Sequence, residues 1–352
     1  MNELLRACLE DLEARIDVDE EERIWHEWKE FACGRFDGKV FRPVRRRPRP
    51  PQVVWPDVSV NAALDDFDQM ALQQFRGCSD ILAEASGKIM CVRANYGTSI
   101  LPSLFGARLF IMDEELNTLP TSWPLDGPDA IRRVVEAGVP DLQTGWGPKV
   151  FEMGRRFQAI AREYPKIARY VSIYHPDLQG PMDVCEVLWG SSIFCAFFEL
   201  PELVKQLLEL VTRTYIAFLR EWETIVPLAP DGNVHWGCYH KGKIMLRDDS
   251  AMNVSPDIFE EFIKPYDQHL LNECGGGAIH FCGRGDHFIT GMGEMNGLFA
   301  IHMSQPHLND MELVFQSTVD KGVNLLDLSP AGWEQAVASG RDLHGRVSCL
   351  SS

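Results

Sequence analysis

The sequence lacks any apolar run close to the ~20 residues that a helix needs to cross a bilayer. It also lacks the basic start of a secretory signal, since residues 1–23 are rich in acidic side chains. We therefore expect no membrane span and a cytoplasmic protein. The ten cysteines, from Cys8 to Cys349, lack the close spacing of a disulfide scaffold, so reduced thiols are expected.

Positive charge is also scarce. The 34 Lys and Arg residues face 51 Asp and Glu residues, which gives a formal net charge of −17. Nucleic acids and anionic membranes attract basic surfaces, so neither is expected as a partner. One basic run is present at residues 42–49, and prolines interrupt it. We interpret it as an extended linker that lies on an acidic surface.

Several catalytic and nucleotide-binding motifs are missing. The sequence has no G-x-G-x-x-G after a predicted strand and no G-x-x-x-x-G-K-[ST], so the two common nucleotide-binding folds lose support. No G-x-S-x-G elbow is present, and nothing specifies a Ser-His-Asp triad.

The regular elements that are present fall into two parts. Residues 1–87 predict two amphipathic helices within 2–34 and then an irregular Pro- and Arg-rich arm over 35–62. Residues 88–352 predict strands that alternate with helices. The expected strands cover 89–92, 170–173, 243–247, 278–282, 298–303, 323–326 and 345–350. This rhythm is typical of a parallel sheet, either open and doubly wound or closed into a barrel.

His280 and Cys282 form the sharpest local feature. Side chains alternate along a strand, so both should point to the same face, as two ligands for a thiophilic metal. Zinc fits imidazole and thiolate best. Cys349, near the end of the last predicted strand, is the best third ligand, with Cys274 and Cys238 weaker. The alternative is that His280 and Cys282 are ordinary buried residues.

Acidic and imidazole side chains supply further candidates for functional-site residues. The apolar run before Asp248 and Asp249 predicts a strand that delivers one of these carboxylates to a site at its carboxyl end. The alternative is a solvated turn or a helix cap. His240 belongs to a segment, 234–240, interpreted as a loop rich in histidine and aromatic residues, and His302 ends a predicted strand shortly before Gln305.

The order of several segments resembles the uroporphyrinogen-decarboxylase superfamily. The segments are Arg93-Ala94-Asn95-Tyr96-Gly97, Leu104-Phe105-Gly106, HPDLQGPMDVCEVLWG (175–190), LPELVKQLLELVT (200–212), DDSAMNVSPDIFEEFIKPYDQHLL (248–271) and IHFCGRG (279–285). The resemblance implies a (β/α)8 TIM barrel with an N-terminal helical extension.

Within that superfamily, the chain is similar to the corrinoid-dependent methyltransferases, which hold zinc with an H-x-C and a later cysteine. The resemblance implies His280, Cys282 and Cys349 as metal ligands, although Cys349 lies in VSCLSS rather than in a G-C-G context. It also implies catalytic roles for Asp249, His240 and His302. Substrate binding would fall to residues on the matching segments and strand ends, namely Asn95, Tyr96, Asp248 and Gln305.

The implied function is a zinc-dependent methyltransferase that moves a methyl group between a small molecule and a corrinoid protein. The corrinoid would come on a separate partner, because the chain has no D-x-H-x-x-G signature. The oligomeric state stays open, with a homodimer as one option. A metal-free decarboxylase is the enzymatic alternative, although the acid-rich chain is expected to offer few arginines at the mouth. A barrel that only binds its ligand is the third option.

Overall fold

The fold is known from a computed structural model that describes residues 1–350. The helices are α1 (Glu3–Arg15), α2 (Val18–Ala32), α3 (Val60–Asp65), α4 (Phe67–Ala83), α5 (Ile100–Leu104), α6 (Gly127–Ala137), α7 (Gly147–Glu163), α8 (Pro165–Tyr170), α9 (Pro181–Trp189), α10 (Ile193–Glu199), α11 (Pro201–Ile225), α12 (Pro256–Ile258), α13 (Lys264–Cys274), α14 (Ile289–Met292), α15 (Met311–Ser317) and α16 (Pro330–Ala338).

The strands form one parallel sheet and three two-stranded pairs. They are β1 (Cys91–Val92), β2 (Leu109–Phe110), β3 (Thr121–Ser122), β4 (Ser172–Ile173), β5 (Gly232–His235), β6 (Cys238–Lys241), β7 (Ile244–Arg247), β8 (Gly277–Phe281), β9 (Leu298–Met303) and β10 (Asn324–Leu326). The large sheet has the order β10-β9-β8-β7, and β1 pairs with β4 in parallel, whereas β2–β3 and β5–β6 are antiparallel. Helices connect the parallel strands, as parallel pairing requires.

The large sheet continues beyond β10 through single bridges. Leu325 pairs with Val347, and Ser348 pairs with Phe41 of the N-terminal arm, both in parallel. The predicted strand 345–350 is therefore reduced to two bridged residues. Within residues 1–350, the paired strands do not form a closed ring. The structure thus shows a mixed α/β fold with parallel strands.

The two faces of the large sheet belong to two different clusters of buried side chains. Met245, Ala278 and Ala300 share one cluster with residues of the β5–β6 hairpin and of α2. Their neighbours along the strands, such as Ile279 and Ile301, join the larger cluster that contains the surrounding helices. This separation follows from the two-residue period of a strand, and it places the hairpin against one face of the sheet.

Ion pairs hold the Pro- and Arg-rich arm against helix α2 within the N-terminal part. Arg45 makes two hydrogen bonds to the Glu21 carboxylate, at 2.6 and 2.7 Å, and both side chains are buried. Arg49 pairs with Asp17, and Arg46 lies 3.7 Å from Glu20. The basic run therefore lies along the acidic helix α2, which confirms the interpretation of this run as a linker on an acidic surface.

Some predicted elements differ from the observed ones. Tyr170 ends helix α8 rather than starting a strand, and residues 234–240, interpreted as a loop, lie in the β5–β6 hairpin. Pro265 is the second residue of helix α13. A π-helical segment, Phe259–Ile263, lies just before it, because a proline cannot donate the backbone hydrogen bond that a regular helix needs.

Among residues 1–350, no single helix is long and apolar enough to cross a membrane. The pair α9 and α10, bent by 100° at its break, meets the length and composition criteria only when the two helices are taken together.

Candidate active site

The ends of β7, β8 and β9 bring one row of side chains together. Arg247, His280 and His302 occupy the same level of three neighbouring strands. Residues in register on parallel strands point to the same face, so these three side chains share one side of the sheet. The residues two positions later in the chain, such as Asp249 and Cys282, lie on the same side. This is the side on which the β5–β6 hairpin packs.

Asp249, His280 and Cys282 form a compact group of metal-ligating side chains. One ligand atom from each lies within 4.8 Å of the others. The His280 Nε2 is 3.3 Å from the Cys282 Sγ and 3.5 Å from an Asp249 carboxylate oxygen. The same oxygen accepts a 2.8 Å hydrogen bond from the Cys282 backbone N–H. His280 is buried, whereas the Asp249 carboxylate is 40% exposed, so the group faces an opening.

The environment keeps His280 neutral. Burial, with His302 and Arg247 nearby, lowers the pKa of His280 to about 2. The Nδ1 atoms of His280 and His302 lie 2.8 Å apart, so one of them must donate a proton to the other. If His280 donates, its Nε2 presents a lone pair to the group, as a metal ligand requires.

Hydrogen bonds fix the loop that carries Cys282. The Gly283 N–H donates to the Gln305 side chain at 2.6 Å, and the Asn309 amide donates to the Gly283 carbonyl at 3.0 Å. The Cys282 Sγ lies 3.4 Å from the Ser304 hydroxyl. Burial and the Asp249 carboxylate raise the pKa of Cys282. Gln305, a predicted substrate-binding residue, therefore holds the loop that carries Cys282 by accepting the Gly283 N–H.

Asp248 points away from this group into a cluster of buried acids. Its side chain is fully buried beside the buried Asp267, and repulsion between the two carboxyls favours a proton on at least one of them. Burial raises the pKa of Asp248 well above its usual range and that of Asp267 to about 8. Asp183 accepts the backbone N–H groups of Asp249 and Ser250 at 3.1 and 2.8 Å. This cluster supports the segment that carries Asp249.

Gly180 permits the close packing of this segment. A Cβ at Gly180 would lie 2.4 Å from both the Arg247 carbonyl oxygen and an Asp248 carboxyl oxygen. Any larger residue would therefore push the end of β7 away from the loop after β4.

Two arginines lie at the ends of the strands, Arg93 directly after β1 and Arg247 at the end of β7. Arg93 bonds to Asp177 at 2.9 Å, and Arg247 pairs with the same carboxylate. The Arg247 guanidinium also lies 4.4 Å from the centre of the Trp236 ring. Two positive charges and one negative charge leave this cluster with a net charge of +1.

The tip of the β5–β6 hairpin lies beside Arg247, His280 and His302 at the ends of the strands. Trp236 and Gly237 both have positive φ angles, +50° and +83°, as in a type I′ turn. The Trp236 ring lies 5.0 Å from the His280 ring and 5.2 Å from the His302 ring. His240 is buried further down the hairpin, where it bonds to His235, and it does not reach Asp249 or Cys282 directly.

Three predicted site residues lie elsewhere. Cys349 is buried but does not belong to the group of close ligand atoms. Val347, two residues earlier, packs in the cluster that contains the helices, and strand alternation places Cys349 on that side. Tyr96 is buried with its ring 5.1 Å from that of Trp146, and the neighbouring Asn95 has a buried amide oxygen that finds no hydrogen-bond partner in the described part of the chain.

Local sequence patterns did not identify Asp177, Asp183, His235, Trp236 or Asp267 as individual site residues. Asp177 follows β4 as Asp249 follows β7, so its position after a strand was a usable signal. The other four depend on long-range packing.

Comparison with known proteins finds similarity in structure but not in sequence. No known protein family and no curated protein matches the sequence. Among solved structures, a methyltransferase from Methanosarcina mazei superposes with a TM-score of 0.61. The match covers 94% of this chain and 93% of that chain, at 17% sequence identity. At this identity the likeness shows a shared fold.

Proposed function

We propose that the chain is a zinc-dependent methyltransferase that moves a methyl group between a small molecule and a corrinoid carried by a partner protein. The observation that carries the proposal is the convergence of Asp249, His280 and Cys282 at the ends of β7 and β8. The fold shared with a methyltransferase from Methanosarcina mazei supports it.

The donor set fits zinc in kind and in spacing. Zinc bound tetrahedrally, with Zn–S near 2.3 Å and Zn–N and Zn–O near 2.1 Å, would place sulfur and nitrogen about 3.6 Å apart and nitrogen and oxygen about 3.4 Å apart. The observed separations are 3.3 Å between the His280 and Cys282 atoms and 3.5 Å between the His280 and Asp249 atoms. Small side-chain movements would therefore suffice to bind the ion.

Three protein ligands leave a fourth position open, as in catalytic zinc sites. Zinc bound there would lower the pKa of a substrate thiol or polarise the heteroatom of a methylated substrate. The resemblance gives Cys349 as the third ligand, but Cys349 would need to move to reach the group, so Asp249, which is already in place, is the third ligand in this proposal.

The surrounding side chains have supporting roles in this proposal. His302 orients His280 through the contact between their Nδ1 atoms. Trp236 covers the two imidazoles and limits the access of water. The Asp249 carboxylate, which is partly exposed, orients the substrate or takes its proton when it is not bound to metal.

The finer assignments belong to the same proposal. They are membership of the uroporphyrinogen-decarboxylase superfamily, a (β/α)8 barrel with residues 1–87 as its extension, and a cytoplasmic location. The parallel order β10-β9-β8-β7 and the pair β1–β4 support the barrel.

The test is methyl transfer from free methylcobalamin to a panel of small thiols, followed by the absorbance change of the corrinoid. We expect zinc-dependent turnover by the purified protein and none by Cys282→Ser. Cys195→Ser is the matched control, because Cys195 is exposed and lies outside the site. Turnover that survives both chelation and Cys282→Ser would contradict the proposal, as would a lack of turnover in both directions of transfer.

A second candidate, a metal-free decarboxylase, has one observation in its favour. Arg93 and Arg247 lie at the strand ends, where they could hold a substrate carboxylate. This activity would survive the loss of Cys282 but not Arg247→Gln. Carbon dioxide release from a panel of carboxylic acids by zinc-free protein would support it.

A further inference from the structure

A small cavity lies beside the hairpin tip, next to the proposed metal ligands. It is lined by Arg93, Tyr174, Asp177, His235, Trp236 and Arg247, among others. Its free volume is about 10 Å³, which is room for a single water-sized group. The side chains of Arg93 and Arg247 are 14% and 15% exposed, so the cavity borders the mouth of the site.

His235 presents an unpartnered nitrogen in this region. Its side chain is 3% exposed, and within residues 1–350 its Nε2 is buried without a hydrogen-bond partner. A buried polar atom without a partner costs free energy, so a native structure normally supplies one, either a fixed water or a ligand.

A chain of hydrogen bonds determines which group this nitrogen can bind. The His240 Nδ1 lies 2.9 Å from the Lys241 carbonyl oxygen, which can only accept, so this Nδ1 must carry the proton. The neutral His240 then has an acceptor at Nε2, which lies 2.8 Å from the His235 Nδ1. The His235 Nδ1 must therefore donate. Burial lowers the pKa of both histidines, so His235 is neutral and its Nε2 is an acceptor.

The charges around the cavity further limit which kind of hydrogen-bond donor can bind the His235 Nε2. Arg93 and Arg247 would repel an ammonium group, because Asp177 balances only one of their two charges. A carboxylate has no proton to donate to Nε2. A hydroxyl group satisfies both sides, since it can donate to His235 and accept from an arginine N–H.

We propose that this cavity is a binding subsite for a hydroxyl group of a small organic ligand, held between the His235 Nε2 and the guanidinium groups of Arg93 and Arg247. Only the hydroxyl would enter, while the rest of the ligand would extend towards the mouth. The inference rests on the proposed function only in taking this ligand to be the substrate, because binding itself needs neither metal nor turnover.

The test uses two probes of similar shape that differ in the hydroxyl, 2-methoxyethanol and 1,2-dimethoxyethane. Each is titrated into metal-free protein labelled with ¹⁵N-histidine, and the histidine ring resonances are followed by NMR. We expect a saturable shift of the His235 Nε2 resonance with the alcohol only. The alcohol should bind about three- to tenfold more tightly than the diether, as one net hydrogen bond provides.

Variants distinguish a hydrogen bond to the His235 Nε2 from nonspecific packing of the probe in the cavity. His235→Phe should abolish the preference for the alcohol and identify the His235 resonance by its loss. His240→Phe should weaken the preference, because the His235 Nδ1 then loses the acceptor that fixes its tautomer. His307→Phe, at an exposed histidine, is the control and should keep it. Melting curves check that each variant is folded.

Equal binding of the two probes, or a His235 resonance that ignores the alcohol, would overturn the proposal and leave a fixed water as the partner of Nε2. If His235→Phe does not fold, the wild-type spectra with the two probes still decide the question. Since these titrations contain no zinc, a failure here leaves the methyltransferase proposal intact, and a failed methyl-transfer assay leaves the subsite intact.

Discussion

Cys282→Ser is expected to remove zinc from the protein, because a thiolate is replaced by a hydroxyl that is a poor ligand for this ion. Protein purified without a histidine tag and with zinc supplied should contain about one equivalent. The Cys282 sulfur lies 3.3 Å from the His280 Nε2, so it is one of the three ligand atoms within residues 1–350 that lie in reach of a common ion. Its loss would leave two protein ligands, too few for a stable tetrahedral site.

The expected loss of zinc affinity in each variant depends on whether the changed side chain binds the ion or only orients a ligand. A change in a residue that only orients a ligand typically weakens metal binding by about 10- to 100-fold, and His302→Phe should fall in that range. Cys282→Ser and Asp249→Asn act on the ligands themselves, so each should weaken binding by more than about 100-fold. Cys349→Ser should have little effect, because Cys349 lies outside the group of close ligand atoms.

Zinc content by elemental analysis and competition with a fluorescent chelator measure these affinities, with Cys195→Ser as the control. A large loss of zinc in Cys349→Ser with full retention in Asp249→Asn would refute the assignment of Asp249 and restore Cys349 as the third ligand. Absence of zinc from the wild-type protein, even after anaerobic purification and repletion, would refute the metal site altogether.

Three further predictions concern protons and charge pairs. The pKa of the Cys282 thiol is raised, so zinc binding must expel its proton, and the affinity should rise about tenfold per pH unit between pH 6 and 8. A chelator competition series in which the affinity does not change with pH would contradict this. Burial raises the folded-state pKa of Asp267 to about 8, above an unfolded value near 3.9, so folding takes up a proton between these two pKa values. The free energy of unfolding should therefore fall as the pH rises from about 4 to about 8, by up to about 1.4 kcal/mol per pH unit. Asp267→Asn, which keeps the shape, should reduce this slope in urea titrations, with the raised pKa of Asp248 accounting for what remains. An unchanged slope would show that another group is responsible. Arg45→Ala should destabilise the protein by about 3–5 kcal/mol, because Glu21 would be left as a buried, unpaired charge. Adding Glu21→Gln should recover part of that loss in denaturant unfolding, and strictly additive losses would contradict the pairing.

Local patterns were enough to predict much of the architecture. The two amphipathic helices predicted within residues 2–34 are α1 and α2. Strand β9 was predicted with its observed bounds, Leu298–Met303. These successes rest on periodicities of 3.6 and 2 residues, which a short segment displays without any knowledge of its neighbours.

The candidate site was predicted in part for the same reason. His280 and Cys282 share a face because they are two residues apart on one strand. The basic run was placed on an acidic surface by charge alone, and Arg45, Arg46 and Arg49 do pair with carboxylates of α2 and of its cap.

By itself, then, the sequence determined the two N-terminal helices, most of the parallel strands and the shared face of His280 and Cys282. Tertiary structure decided which groups join them. It brought Asp249 beside His280 through the register of β7 and β8, placed the β5–β6 hairpin against the sheet, and gathered Arg93 and Arg247 around Asp177. It also left Cys349 outside the group of ligands. The physical reason is that alternation along one strand is local, whereas strand register and the approach of the hairpin depend on the packing of residues far apart in the chain.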